Sequence, residues 1–192
     1  MPKGLRGLDR EATWSFSRAD GWVYGHGTFC LCSHPQNGQP PVLGRLVWMP
    51  NSAHEGKRLP LEVAPFQGRL KIVCMDSKAD DLALYEHLKQ HLKMQLLTAP
   101  RAGMNKSPER RRMIRQMSGR FHHMIYRQRS KTVEPMQALM KDIFGLDTCW
   151  MQGDRSNRWL FAAMGVAVQI AQRLAYRQRR STWHIKHDVL GL

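Results

Sequence analysis

Two carboxylates stand apart in a chain otherwise rich in cations. Asp76 closes the apolar run Leu70-Lys71-Ile72-Val73-Cys74-Met75, and Glu134 opens an amphipathic stretch just after the cationic segment 126–133. Hard divalent ions such as Mg²⁺ or Mn²⁺ take oxygen ligands and few protein carboxylates, so acids at the ends of rigid elements suit them. Such ions activate a nucleophile and stabilise the leaving oxygen in phosphodiester cleavage. Two neighbouring acids repel one another without a cation, so the metal and both acids belong to one hypothesis. Arg129 and Lys131 flank Glu134, and Lys141 follows it by two helical turns on nearly the same face, all three suited to holding phosphates. The plainer readings stand beside these. Asp76 would cap the next helix, and Glu134 would pair at the surface with Lys131 or Lys141 for roughly 0–1 kcal/mol.

Charge narrows the partners. The chain has 192 residues, with 30 Lys and Arg against 15 Asp and Glu, a formal charge of +15. A surplus of that size points to nucleic acid, an anionic membrane surface or an acidic partner, with nucleic acid favoured. Residues 101–131 hold ten Lys or Arg against the single acid Glu109. Met113, Ile114, Met117, Phe121, Met124 and Ile125 are interleaved with them, so the segment reads as amphipathic helix. Arg110, Arg111, Arg112, Arg115, Arg120, Tyr126, Arg127, Arg129, Lys131 and Lys141 are the expected DNA contacts, with His122 and His123 part of the same basic face. A solvated face without a ligand is the alternative.

The elements that must position these residues follow from patterning. Residues 1–20 lack apolar periodicity and read as an arm. Residues 28–32 are β-prone, the turn-rich stretch 33–41 follows, and residues 42–49 form a second strand, giving a hairpin. Trp22 and Trp48 read as core or sheet-face residues. Residues 54 and 55 (His, Glu) fall in a mixed segment. After it come the Asp76 strand, a helix over 78–93 with Asp80 and Asp81 in its first turn, and a strand over 94–98. Strand, helix and strand with short joints is a β-α-β unit. A helix spans 132–144, with Gly145 as its C-cap. A long helix spans 157–180, buried over 159–171 and ending in Arg173, Arg177, Arg179 and Arg180. The layout is an arm over 1–20, one domain over 21–180 and a tail over 181–192.

No stretch approaches the roughly 20 apolar residues that a bilayer span needs, and the basic start lacks an apolar signal core. A cytoplasmic protein without a membrane partner is expected. Cys30 and Cys32 lie on one strand face near His26 and His34, but Cys74 and Cys149 supply no second close pair for zinc. Reduced thiols are the expected state.

Four blocks, in order, carry a family resemblance. Gly21-Trp22-Val23-Tyr24-Gly25-His26-Gly27-Thr28-Phe29 looks like the Gly-Tyr-Lys strand of DDE transposases from bacterial insertion sequences, with His26 in place of lysine. Residues 47–55 are similar to that family's strand ending in Pro-Ala-Asn-x-His-Asp. Residues 72–81 resemble its block with the second catalytic aspartate, and residues 126–134 with Lys141 and Phe144-Gly145-Leu146 resemble its Tyr-Arg-Glu-Lys signature. The resemblance, which spans about residues 20–175, implies an α/β, RNase H-like mixed sheet with flanking helices. It also implies Asp76 and Glu134 as catalytic metal ligands, Mg²⁺ or Mn²⁺ as cofactor and insertion-sequence ends as DNA partner. The first catalytic aspartate of the family lies upstream of the Gly-Tyr-Lys block, where this chain offers only Asp9 and Asp20, neither after an apolar strand. A copy truncated at its N-terminus is the expectation, acting as a homodimer or with a complementing N-terminal fragment. The alternatives are a non-catalytic nucleic-acid-binding remnant and a basic scaffold without a carboxylate site.

Overall fold

The computed structural model describes residues 9–17, 21–35, 39–101, 107–146 and 151–191. Lys106, Asp20 and Cys149 lie outside the described residues. The fold is mixed α/β, with two small sheets and seven α-helices among the described residues. It divides into two compact units, one of residues 1–53 with 132–192 and one of residues 54–131.

In the first unit, β1 (Thr13–Ser17), β2 (Gly21–Cys32) and β3 (Leu43–Pro50) form an antiparallel sheet in that order. The expected β2–β3 hairpin is present, with Phe29 opposite Val47 and a bulge between Leu31 and Cys32. β1 falls inside the segment expected to be an arm. Its residues alternate Thr, Trp, Ser, Phe, Ser, and its aromatics pair across the strands: Trp14 with Tyr24 at 5.0 Å between ring centroids, Phe16 with Trp22 at 5.6 Å. Cross-strand aromatic pairs are a recognised source of sheet stability. Trp22 is 69% exposed on this ladder, whereas Trp48 is buried.

Two helices cover the sheet. α5 (Val133–Phe144) contributes Met136, Met140 and Ile143, and α6 (Asp154–Arg177) contributes Phe161, Met164, Val168, Ala171 and Ala175, to a core shared with Leu43, Leu46 and Trp48. Gly165 lets α6 approach β3 closely, because a Cβ there would stand 3.1 Å from that of Leu46. α5 ends at Gly145 in the left-handed region (φ 60°, ψ 43°), as the helix-stop pattern requires. α6 departs from the expected buried helix. Trp159, Val166 and Ile170 are each more than half exposed, because the sheet covers only one side of this 24-residue helix. The tail is also packed. Ile185 is fully buried ahead of α7 (Lys186–Leu190), and Arg180 holds Asp188 through two bonds of 3.1 and 2.9 Å.

In the second unit, α1 (Glu55–Val63) fills the segment that lacked a pattern, despite Pro60 in its interior. The β-α-β unit forms as expected: β4 (Ile72–Cys74) and β5 (Gln95–Leu97) pair in parallel across α2 (Leu82–His91). The strands are shorter than the apolar runs that encode them, so Asp76 lies two residues beyond β4. Asp81 caps α2 by accepting the Leu84 N–H at 3.0 Å. α3 (Pro108–Met117) and α4 (Arg120–Arg127) carry the basic segment.

Asp80 fastens this unit. Its carboxylate is 2% exposed and accepts from the Thr98 hydroxyl at 3.3 Å, the Arg101 N–H at 2.6 Å and the guanidinium of Arg110, itself 2% exposed. Tyr85 of α2 donates to Gln116 of α3. Breaking a buried ion pair strands a charge in a dry interior and typically costs about 3–5 kcal/mol. Asp80→Ala is therefore expected to lower unfolding free energy by about that amount, against about 1 kcal/mol for the cap variant Asp81→Ala. Chemical denaturation checks the contrast, and equal losses in the two variants would show that the pair is not what holds this unit.

Candidate nucleic-acid interface

The cationic residues of the second unit do not share one fate. Arg120, His123, Met124, Arg127, Gln128 and Lys131 line one cleft of about 660 Å³. Their spacing of three, one, three, one and three runs along a single face of α4 and onto the 3-10 turn Arg129–Lys131. Neither Arg120, Arg127 nor Lys131 has an acid partner among the described residues. The same helix exposes Phe121 and Met124 by more than half. Fixed cations without counter-charges, beside exposed apolar surface, form a groove that suits a phosphate backbone.

The other expected contacts lie elsewhere. Arg111, Arg112 and Arg115 are exposed on α3. Arg129 stands over the half-buried Tyr126 ring, 5.8 Å from its centroid. Arg110 departs from the expectation of a DNA contact, because its guanidinium is turned inward onto Asp80. The basic run 110–112 wraps around a helix, so one of its three members must face the core. Lys141 lies on α5 in the first unit. His123 and Gln128 complete the cleft. The i, i+3, i+4, i+7 spacing from Arg120 was the signal that could have selected them.

Asp76 and Glu134 belong to different units. The Asp76 side chain accepts the Lys78 N–H at 2.9 Å, so it caps the 3-10 turn Ser77–Ala79, as the plainer reading held. Its acidic neighbour is Glu55, at the start of α1. Burial pushes the Glu55 carboxyl above the usual glutamate range, and the charge of Asp76 pushes it further, with Lys78 and His54 pulling the other way. Glu55 was missed because its partner is 21 positions away. Glu134 is exposed in the first turn of α5. Among the described residues no group of three or more His, Cys, Asp or Glu is arranged to hold a metal ion.

The acid upstream of the Gly-Tyr block is tied down. Asp9 Oδ2 accepts from His26 Nε2 at 2.8 Å and from the Gly153 N–H at 2.6 Å, and Oδ1 accepts the Glu11 N–H at 3.0 Å. Glu11 in turn accepts the Asp154 N–H. Both acids thus meet the N-terminus of α6, where unpaired N–H groups and the helix dipole favour negative charge.

The thiols are quiet. Cys30 and Cys32 lie with their sulfurs 3.5 Å apart, hydrogen-bonded and without a disulfide, and the bond to Cys30 together with burial pushes the Cys32 thiol far above the usual range. The Cys74 thiol is pushed up to about 11 by burial, with Arg129 opposing. No helix among the described residues is long and apolar enough to cross a membrane. The chain matches no family model, no curated protein and no solved structure.

The Asp9 contacts carry a pH signature. Burial raises its carboxyl, but the bonds from His26, Gly153 and Glu11 outweigh that and hold it below the usual aspartate range. A depressed carboxyl stabilises the fold above its unfolded value, and that contribution disappears as pH falls through the folded value. The stability gap between the native chain and Asp9→Asn is therefore expected to be full near pH 7 and to shrink from about pH 5 down to about pH 2. Thermal unfolding across that range measures it, and a gap independent of pH would remove Asp9 from this role.

Proposed function

We propose that this chain is a DNA-binding protein of the transposase type, engaging the phosphate backbone through the Arg120–His123–Arg127–Lys131 cleft. The observation that carries the reading is that set of aligned cations without acid partners, on a chain of net charge +15. The RNase H-like fold is what the sequence blocks imply; among the described residues the three antiparallel strands and the parallel pair form two separate sheets and not one mixed sheet. The fuller reading adds metal-dependent cutting of DNA ends, for which Asp76 and Glu134 would be the carboxylates that hold Mg²⁺ or Mn²⁺. Bound metal would supply the charge that stabilises the leaving oxygen. Arg129, Lys131 and Lys141 would hold the neighbouring phosphates.

A second reading, a binding protein without cleavage, draws on the acids. Asp76 spends one oxygen on the Lys78 N–H, and Asp9 is engaged by three donors.

Fluorescence anisotropy with duplex DNA over a salt series tests the shared part. Each of Arg120→Ala, Arg127→Ala and Lys131→Ala is expected to weaken binding and to reduce the slope of log affinity against log salt by about 0.9. Binding indifferent to all three would end the proposal. Nicking assays with Mg²⁺ or Mn²⁺ separate the two readings. Loss of nicking in both Asp76→Ala and Glu134→Ala supports cleavage, whereas tight binding without nicking in the native chain supports the second reading.

A further inference from the structure

The cationic cleft of the second unit carries two side chains that a phosphate backbone has no use for. Phe121 and Met124 of α4 are 59% and 54% exposed, and no residue of this helix is buried. Their places follow from helix geometry. Each residue turns the helix by about 100°, so Arg127 falls within about 20° of Arg120, with Met124 about 40° and Phe121 about 100° to one side. Met124 therefore stands between the cation row and the Phe121 ring, and it lines the cleft beside Arg120 and Arg127. The Phe121 ring meets His122 edge-on, with 5.5 Å between centroids.

A lone hydrophobic side chain is ordinary on a protein surface. Two on one turn, next to three cations without acid partners among the described residues, form a composite surface. Its ligand must offer phosphates and apolar faces side by side. An anionic membrane offers both, but a helix that lies in one keeps a broad apolar face opposite its cations. Here the apolar pair is narrow and adjoins the cations, on a helix of eight residues.

Paired DNA offers the phosphates alone. Its base faces are stacked on one another, and its grooves show mainly polar edges. An unpaired strand leaves the faces open, so that an aromatic ring can stack on a base and a thioether can pack against one. Unstacking a paired step costs free energy, and a strand already open avoids that cost.

We infer that the cleft recognises unpaired DNA, with Phe121 stacked on a base, Met124 against its neighbour, and Arg120, Arg127 and Lys131 on the flanking phosphates. The inference rests on the proposed DNA-binding cleft and adds the strand state that it selects.

Fluorescence anisotropy of the full chain tests this with three labelled probes: a single strand, its blunt duplex and an abasic single strand of equal length. The native chain is expected to bind the single strand more tightly than the duplex at equal salt. Phe121→Ala should weaken the single strand by about fivefold to a hundredfold, with its salt slope and the abasic strand unchanged. Phe121→Trp should restore the affinity. Arg127→Ala should instead weaken all three probes and lower the single-strand slope by about 0.7. Circular dichroism checks that each variant is folded. A duplex bound as tightly as the single strand would overturn the inference, as would a single strand indifferent to both Phe121→Ala and Met124→Ala. In either case the Arg127→Ala result would still uphold the phosphate cleft. Phe121-dependent binding of vesicles containing phosphatidylserine, with natural and abasic strands bound alike, would also overturn it. Indifference of every probe to Arg127→Ala would take away the cleft itself.

Discussion

One buried ion pair organises the half of the molecule that carries the cations. Asp80 and Arg110 are both almost wholly removed from water, and neither would tolerate that alone. A buried pair contributes little or nothing net compared with an apolar replacement, but half a pair is a severe defect. The remaining acceptor capacity of Asp80 is taken by the Thr98 hydroxyl and the Arg101 N–H, so the carboxylate joins the entry of α2, the exit of β5 and α3. Anchoring α3 also limits where α4 can stand. A basic segment that would otherwise self-repel as a tail is thereby held as a surface with fixed charge spacing. Alignment of like charges is unfavourable in the free protein, and a polyanion relieves it on binding.

The first unit solves a different problem, the ends of a long helix on a small sheet. The N-terminus of α6 brings four N–H groups without internal partners, and two acids from the segment before β1 meet them. Asp9 also takes the His26 ring, which is buried against Trp48 at 5.7 Å between centroids. Toward the other end, Gln169 and Gln172 satisfy backbone groups near the start of β3 that the sheet leaves unpaired. Polar side chains thus set the register of α6 on β3, and apolar packing along Leu46, Gly165 and Val168 follows from that register.

Local pattern was enough for elements whose burial is one-sided and periodic. The β2–β3 hairpin, the β4–α2–β5 unit and α5 with its Gly145 stop were all legible, because each carries its signal within a dozen residues. β1 was not, since Trp14 and Phe16 alternate with polar residues yet stay exposed, so their purpose appears only when Tyr24 and Trp22 lie opposite. α1 was hidden by Pro60 and a weak apolar face. Arg110 was placed on the surface because its partner lies 30 positions back in the chain, a distance that no window of pattern reaches. The cleft was half legible: its arginines were chosen for charge, and the spacing that unites them with His123 and Gln128 was present but unused. For Asp76 the sequence offered a cap and a metal ligand side by side, and the bond to the Lys78 N–H realises the first without consuming the second oxygen.

That leftover oxygen bears on how acids and cations coexist in one unit. Glu55 is held partly protonation-prone by burial and by Asp76, which means that the two carboxylates sit in each other's field. A phosphate approaching such a pair meets repulsion, so a polyanion drawn in by Arg120, Arg127 and Lys131 is expected to avoid the acids in the absence of a cation. A divalent ion held by those carboxylates would supply positive charge there, and phosphate would then be attracted where it is otherwise repelled. Binding through the cleft and any use of the acids are therefore separable in principle: the first depends on monovalent salt, the second on a divalent ion. This separation allows a protein of this charge to be a good DNA binder whether or not it is a nuclease.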